Sequence, residues 1–137
     1  MNKRLLSLFV LFLSVLLLAA CLHKAKPRLE GSYQSERDVN GKFISFVFER
    51  QESAYELYID NRLVDRGRYD EYDEGKYALF GEIREFDIEV ESGNEFKVVI
   101  EKINGDEVIE LVQVSQIPTR ASGNFDDIED YQNLLEP

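Results

Sequence analysis

One cysteine, one histidine, three prolines and no tryptophan occur in 137 residues, and each scarcity removes a class of protein. A lone Cys leaves no internal disulfide, no Cys-rich zinc site and no thioredoxin-type pair. The only His, His23, lies outside the region that reads as folded. Ser–His and Cys–His nucleophilic systems therefore have no base in the body. Positive charge is also short: 16 Lys and Arg stand against 27 Asp and Glu, a net charge of −11. Nucleic-acid binding draws most of its affinity from Lys and Arg neutralising phosphates, so nucleic acid is excluded as the main partner. Attachment to an anionic membrane surface through basic patches is excluded on the same ground. No Gly-rich phosphate loop and no His-based metal site is present, so no cofactor and no metal is expected. The length allows one domain at most.

What is there begins with an address. Met1-Asn2-Lys3-Arg4 is a short basic start, and Leu5 to Ala20 is an apolar run broken only by Ser7 and Ser14. A spanning helix needs about 20 apolar residues, whereas a secretory signal has a charged start, a shorter apolar stretch and small residues at its end. Ala19-Ala20 supply those small residues. Leu18-Ala19-Ala20-Cys21 resembles the lipobox of bacterial lipoproteins, in which an aliphatic and two small residues precede an invariant cysteine. The resemblance implies a diacylglyceryl group on the Cys21 thiol, cleavage between Ala20 and Cys21, and a new amino terminus that is itself often acylated, for instance with palmitate. Two or three chains would anchor the protein stably, because each buried CH₂ contributes about 0.8 kcal/mol and one chain alone is marginal. The resemblance thus implies the bacterial cell envelope: the outer face of the plasma membrane, or the outer membrane where Leu22 in place of Asp directs sorting. Residues 1–20 are read as signal peptide and 21–30 as tether, with 14 bases against 27 acids from Cys21 onward, a balance of −13.

Between Arg28 and Ile117 there is no Pro, and β-branched and aromatic residues recur in short runs between turn residues. That pattern favours strands. Asn40-Gly41, Asp60-Asn61, Ser92-Gly93-Asn94 and Asn104-Gly105 are turn signals, since these residues tolerate the positive φ of tight hairpins. Strands are expected near 32–38, 42–50, 54–60, 63–69, 76–80, 84–91, 95–103 and 107–116. Phe86, Ile88 and Val90 alternate with acids, as do Phe96, Val98 and Ile100 with polar or outward positions; Ile44, Phe46 and Phe48, then Tyr55, Leu57 and Ile59, give two further inward sets. Phe43, Val47, Val99 and Val112 break the alternation, so part of the outer face is expected to be covered. The segment 118–137 is expected to supply that cover, with Ile128, Tyr131 and Leu135 at helical spacing and acids in the first turn.

Eight antiparallel strands with local hairpin connections close into a barrel or split into a sandwich; closure removes exposed edges and favours an up-and-down barrel over 31–117 with a short C-terminal helix. Gly31-Ser32-Tyr33, Phe46-Val47-Phe48, Tyr55-Glu56-Leu57-Tyr58-Ile59 and Gly67-Arg68-Tyr69 resemble the small lipocalin-like domains of bacterial lipoproteins, which begin Gly-x-Trp and later carry Gly-x-Tyr. Here Tyr33 stands at the Trp position. The resemblance implies an all-β, calycin-like barrel that binds a small apolar ligand in its interior, with Tyr33, Phe46, Tyr55, Leu57, Tyr69, Phe86 and Phe96 as candidate lining residues.

Catalysis is not expected. Most carboxylates alternate with apolar residues and so face water, and neither acidic stretch, Asp70–Glu74 or Asp126–Asp130, fits the EF-hand calcium loop; in the first, Tyr72 falls where an oxygen ligand is needed. The expected function is that of a lipid-anchored, non-enzymatic protein binding a small apolar ligand inside the barrel; the alternative is an acidic surface that binds a cationic protein such as a lysozyme, a protease or an antimicrobial peptide. Cys21→Ser is expected to abolish incorporation of a palmitate analogue and to move the protein out of the membrane fraction; labelling that persists in the variant would refute the lipobox reading.

Overall fold

The structure, a computed structural model, describes residues 2–20, 28–35 and 38–137, the side chains of 17–20 excepted. Cys21 and His23 therefore lie outside the described residues. Helix α1 spans Lys3–Ala20, and its apolar side chains from Leu5 to Leu16 are exposed. Among the described residues no helix is long and apolar enough to cross a membrane.

Eight antiparallel strands follow: β1 Gly31–Ser35, β2 Ile44–Glu49, β3 Ala54–Ile59, β4 Arg62–Asp73, β5 Lys76–Gly81, β6 Glu85–Glu89, β7 Glu95–Val98 and β8 Ile109–Ser115. The ladder runs β6-β5-β4-β3-β2-β1-β8-β7, so first and last strands meet and the sheet curls into a nearly closed barrel. The expected all-β barrel of eight antiparallel strands is what the chain forms. Its hairpins turn where the sequence places them: Asn40-Gly41 and Asp60-Asn61 each supply two consecutive positive φ values, 51° and 81°, then 48° and 66°. That pair of conformations matches the right-handed twist of the flanking strands.

Two elements differ from expectation. β4 continues through Asp70-Glu71-Tyr72-Asp73, which sequence places in a turn; Asp70 pairs with Ala78 and Glu71 with Tyr77, and the reversal waits until Gly75 at φ 73°. β7 stops at Val98, and Glu101–Asn104 forms a helical turn, α2, in place of the last residues of an expected long strand. Ile100 and Ile103 explain that change. On a strand they would face opposite sides, whereas three residues apart on a helical turn they share one face, and both are buried. Asn104-Gly105, expected as a hairpin turn, closes this helix instead, with Gly105 at φ 59°.

The core is the barrel interior. Inward residues of every strand are buried, from Tyr33 and Phe46 to Phe96 and Leu111, while the alternating Glu85, Asp87 and Glu89 are exposed. Gly31 marks the tightest strand contact: its φ is 83°, and a Cβ there would lie 2.1 Å from the Ser115 carbonyl oxygen. Only glycine lets β1 lie this close to the end of β8.

The C-terminal segment runs along the outside and back to the core. Thr119 N–H donates to Ser32 Oγ at 2.9 Å, and Arg120 reaches the Glu49 and Glu56 carboxylates on the outer face of β2 and β3. There Val47 and Tyr58, both outward by alternation, are buried. Of the four outer-face positions expected to be covered, Val47 is buried, Val99 and Val112 are half-buried and Phe43 is exposed. Farther on, Arg62 holds Asp127 by two hydrogen bonds of 3.0 and 2.9 Å and stacks on the rings of Phe125 and Tyr131, 4.2 and 4.6 Å from their centroids. Helix α3, Ile128–Gln132, leads into Leu135, which is fully buried in the core cluster. Leu135→Ala is expected to cost about 2–5 kcal/mol in chemical denaturation, the range for emptying a buried leucine site; a loss within experimental error would mean that the segment does not close the barrel.

Candidate functional site

The residues expected to line a ligand cavity come together, but against one another. Phe46 lies at the centre, with ring centroids of Phe48, Tyr55, Phe86 and Phe96 at 6.0, 6.3, 5.8 and 5.4 Å. Tyr33 packs edge-on to Phe48 at 5.6 Å and tilted on Phe96 at 5.0 Å, and Tyr69 meets Phe48 edge-on at 5.5 Å. Leu57 is buried beside them in the same cluster. Edge-to-face and offset contacts of this kind each add about 0.5–1.5 kcal/mol beyond burial. All seven candidate residues therefore serve as packing of the barrel interior.

Both ends are capped. At the end where β1 begins, Leu29 is buried, and three tyrosines surround it. Tyr77 Oη accepts from the Leu29 N–H at 3.4 Å and Tyr69 Oη donates to the Leu29 carbonyl at 3.3 Å. Tyr33 lies next to them with its buried hydroxyl toward the Glu30 backbone, and the Tyr55 hydroxyl is buried with no hydrogen-bond partner among the described residues. Such a group is where an internal water is expected. At the opposite end Ile103 and Leu135 close the interior, linked on the outside by Lys102 Nζ donating to the Asn133 carbonyl at 2.8 Å.

Near the β5–β6 turn a buried carboxylate stands out. In the β3–β4 ladder Leu57 pairs with Asp65 and Tyr58 with Leu63, so Val64 is an extra residue, and both Val64 and Asp65 turn inward. A bulge re-aims side chains in this way. Asp65 accepts from the backbone N–H groups of Arg66, Ile83 and Arg84 at 2.9, 3.1 and 3.1 Å. A Cβ on Gly81 would come within 2.2 Å of Asp65 Oδ2 and 2.5 Å of Tyr55 Oη, so only glycine leaves room for this arrangement. Asp65 is thereby a staple for the turn, and its role was hidden in sequence because the bulge reverses the strand's alternation.

Outside, the acids are unevenly placed. Glu85, Asp87 and Glu89 project from β6, Glu91 and Glu95 from the next turn and strand, and Glu110 from β8. Lys97 lies 3.8 Å from Glu91. Glu95 is held above the usual carboxylate range, first by hydrogen bonding with Glu110 and then by loss of water, with Glu91 adding to it. Like charges thus crowd at one side of the barrel. Elsewhere carboxylates are relieved by guanidinium groups: Arg84 lowers Glu101 and Arg62 lowers Asp127. Among the described residues no group of three or more His, Cys, Asp or Glu is arranged to hold a metal ion. Clefts lie on the barrel surface among the described residues. One of about 260 Å³ is lined by Val47, Ala54, Arg66, Arg68 and Arg120, and two of about 600 and 390 Å³ flank the Leu29 cap.

No protein-family model matches this sequence, and neither curated proteins nor solved structures give a match.

The buried tyrosines set a pH limit. Loss of water raises the Tyr33 and Tyr69 phenols from 10.0 to about 12, and Tyr55 and Tyr58 higher still. A phenol raised on folding contributes stability that is present below its unfolded value and lost as pH climbs through its folded one. Tyrosinate absorbance is therefore expected to rise steeply near pH 12 together with loss of near-ultraviolet dichroism; complete ionisation by pH 11 with intact β-structure would contradict the burial of these hydroxyls.

Proposed function

We propose that this chain is a lipid-anchored, non-enzymatic binding protein of the bacterial cell envelope whose acidic side engages a cationic protein. The observation that carries this reading is the crowding of six acids, Glu85, Asp87, Glu89, Glu91, Glu95 and Glu110, on one side of the barrel, against two cations there, Lys76 opposite Glu89 and Lys97 opposite Glu110. Like charges at adjacent sheet positions lower the stability of the free protein. A basic partner removes that repulsion on binding, and the long-range field raises the association rate. Lysozymes, cationic proteases and antimicrobial peptides have the required charge and are met outside the cytoplasm, where the lipobox resemblance of Leu18–Cys21 locates the chain.

The filling of the interior by Phe46, Phe48, Phe86 and Phe96 favours this reading over an apolar ligand held inside. An internal ligand would have to displace Leu29 from its cap, and native mass spectrometry of the purified protein would reveal it as added mass.

The surface reading is tested by binding of lysozyme to the full-length protein in a zwitterionic detergent. Replacing Glu85, Asp87 and Glu89 by their amides is expected to weaken binding about tenfold, as is raising salt from about 50 to about 300 mM. Affinity that ignores both changes would overturn it.

A further inference from the structure

The acidic side of the barrel coincides with its only interrupted ladder among the described residues. β6 and β7 are consecutive and lie side by side, yet no strand pairing joins them. One bridge at the turn, Glu91 with Glu95, closes the upper end of this seam. At the lower end Arg84 crosses it, donating from Nη2 to the Val99 carbonyl at 2.9 Å and from Nη1 to Glu101 at 2.8 Å.

Which backbone groups face the seam follows from the neighbouring ladders. Residues of an antiparallel strand alternate between bonding to one side and the other. Gly81 N–H donates to the Arg84 carbonyl and Val90 N–H to the Gly75 carbonyl, so Phe86 and Ile88, in the same phase, bond to β5. The N–H and C=O groups of Glu85, Asp87 and Glu89 therefore point away from β5, into the seam. On the other bank Gln113 N–H donates to the Asn94 carbonyl, which puts the groups of Glu95, Lys97 and Val99 toward β6. The bonds from Glu91 N–H to the Glu95 carbonyl and from Arg84 to the Val99 carbonyl fit this phase.

We infer that the seam accepts an extended segment of a cationic polypeptide as an added strand along β6. The inference rests on the cationic-partner reading and specifies how that partner is recognised. A strand laid on β6 would bond to the free groups of Glu85, Asp87 and Glu89. Its outward side chains would stand beside those three carboxylates, and its inward ones beside Phe86, Ile88 and Val90, which are buried and apolar. The fitting occupant alternates Lys or Arg with aliphatic residues. A second copy of this chain does not fit, because its own β6 would bring Glu85, Asp87 and Glu89 against their counterparts. Insertion moves β7 outward by about 4.8 Å, one strand spacing, and releases Arg84 from Val99.

The test uses the full-length protein and a capped hexapeptide of alternating Lys and Val, compared with the same peptide N-methylated on the residues that would face β6. Charge is equal in the two, and only hydrogen-bond donors differ. The plain peptide is expected to bind about tenfold more tightly than the methylated one and to protect the Glu85, Asp87 and Glu89 amides from hydrogen exchange. Equal affinities without that protection would overturn strand addition and leave the acidic-surface reading intact. Lysozyme binding with no binding of either peptide would do the same. No binding of lysozyme or of either peptide would overturn both.

Discussion

The small bore of the barrel is the constraint on which the rest of the structure depends. Eight short strands enclose a space just wide enough for side chains to fill, and Phe46, with four aromatic neighbours, occupies its middle. Because strands of four to seven residues, apart from β4, offer few inward positions, each must carry a large residue. Aromatic side chains supply the most buried area per position. The ends then need plugs of their own, and the chain provides them from outside the sheet: Leu29 ahead of β1, and Ile103 and Leu135 after β7 and β8.

That economy has a polar cost, met in two different ways. Asp65 is buried but fully engaged by three backbone N–H groups, so its burial organises the β5–β6 turn. Tyr55 is buried with its hydroxyl unpartnered among the described residues. On the surface the same contrast recurs. Arg62, Arg84 and Arg120 each neutralise acids where the C-terminal segment or the α2 turn must be held. The β6 side has Lys76 and Lys97 against six acids and retains part of its repulsion. Stability is thus concentrated on the β1–β4 wall and at the capped ends, and the seam between β6 and β7 is the least restrained part of the wall.

Much of this fold is legible in residue order, because period-two alternation reports which face is wet. Glu85-Phe86-Asp87-Ile88-Glu89 states its own orientation, and Asn40-Gly41 and Asp60-Asn61 state their turns. What alternation cannot report is a change of phase. The bulge at Val64 put Asp65 inside, and the helical turn after Ile100 replaced strand because burying Ile100 and Ile103 together outweighed local β-propensity. The seam was equally hidden, since consecutive strands with a turn between them read as a hairpin, and only the unpaired backbone reveals otherwise. Aromatic inward faces look the same in sequence whether they surround a ligand or each other. The difference lies in how far apart the opposite walls stand, and that distance is a property of closure and strand tilt rather than of any one segment.

The position of Leu29 has a mechanical consequence. The chain enters the barrel through a residue that is buried and bonded at both its N–H and its carbonyl to tyrosines of β5 and β4, and it continues into β1, the strand flanked by β2 and β8. A pull on the chain ahead of Arg28 acts along β1, and the ladder bonds on both sides lie across that direction. They share the load in shear instead of parting one after another. The barrel is consequently built to resist extraction by its amino end and to yield first at the seam two strands away, where no strand pairing joins β6 and β7.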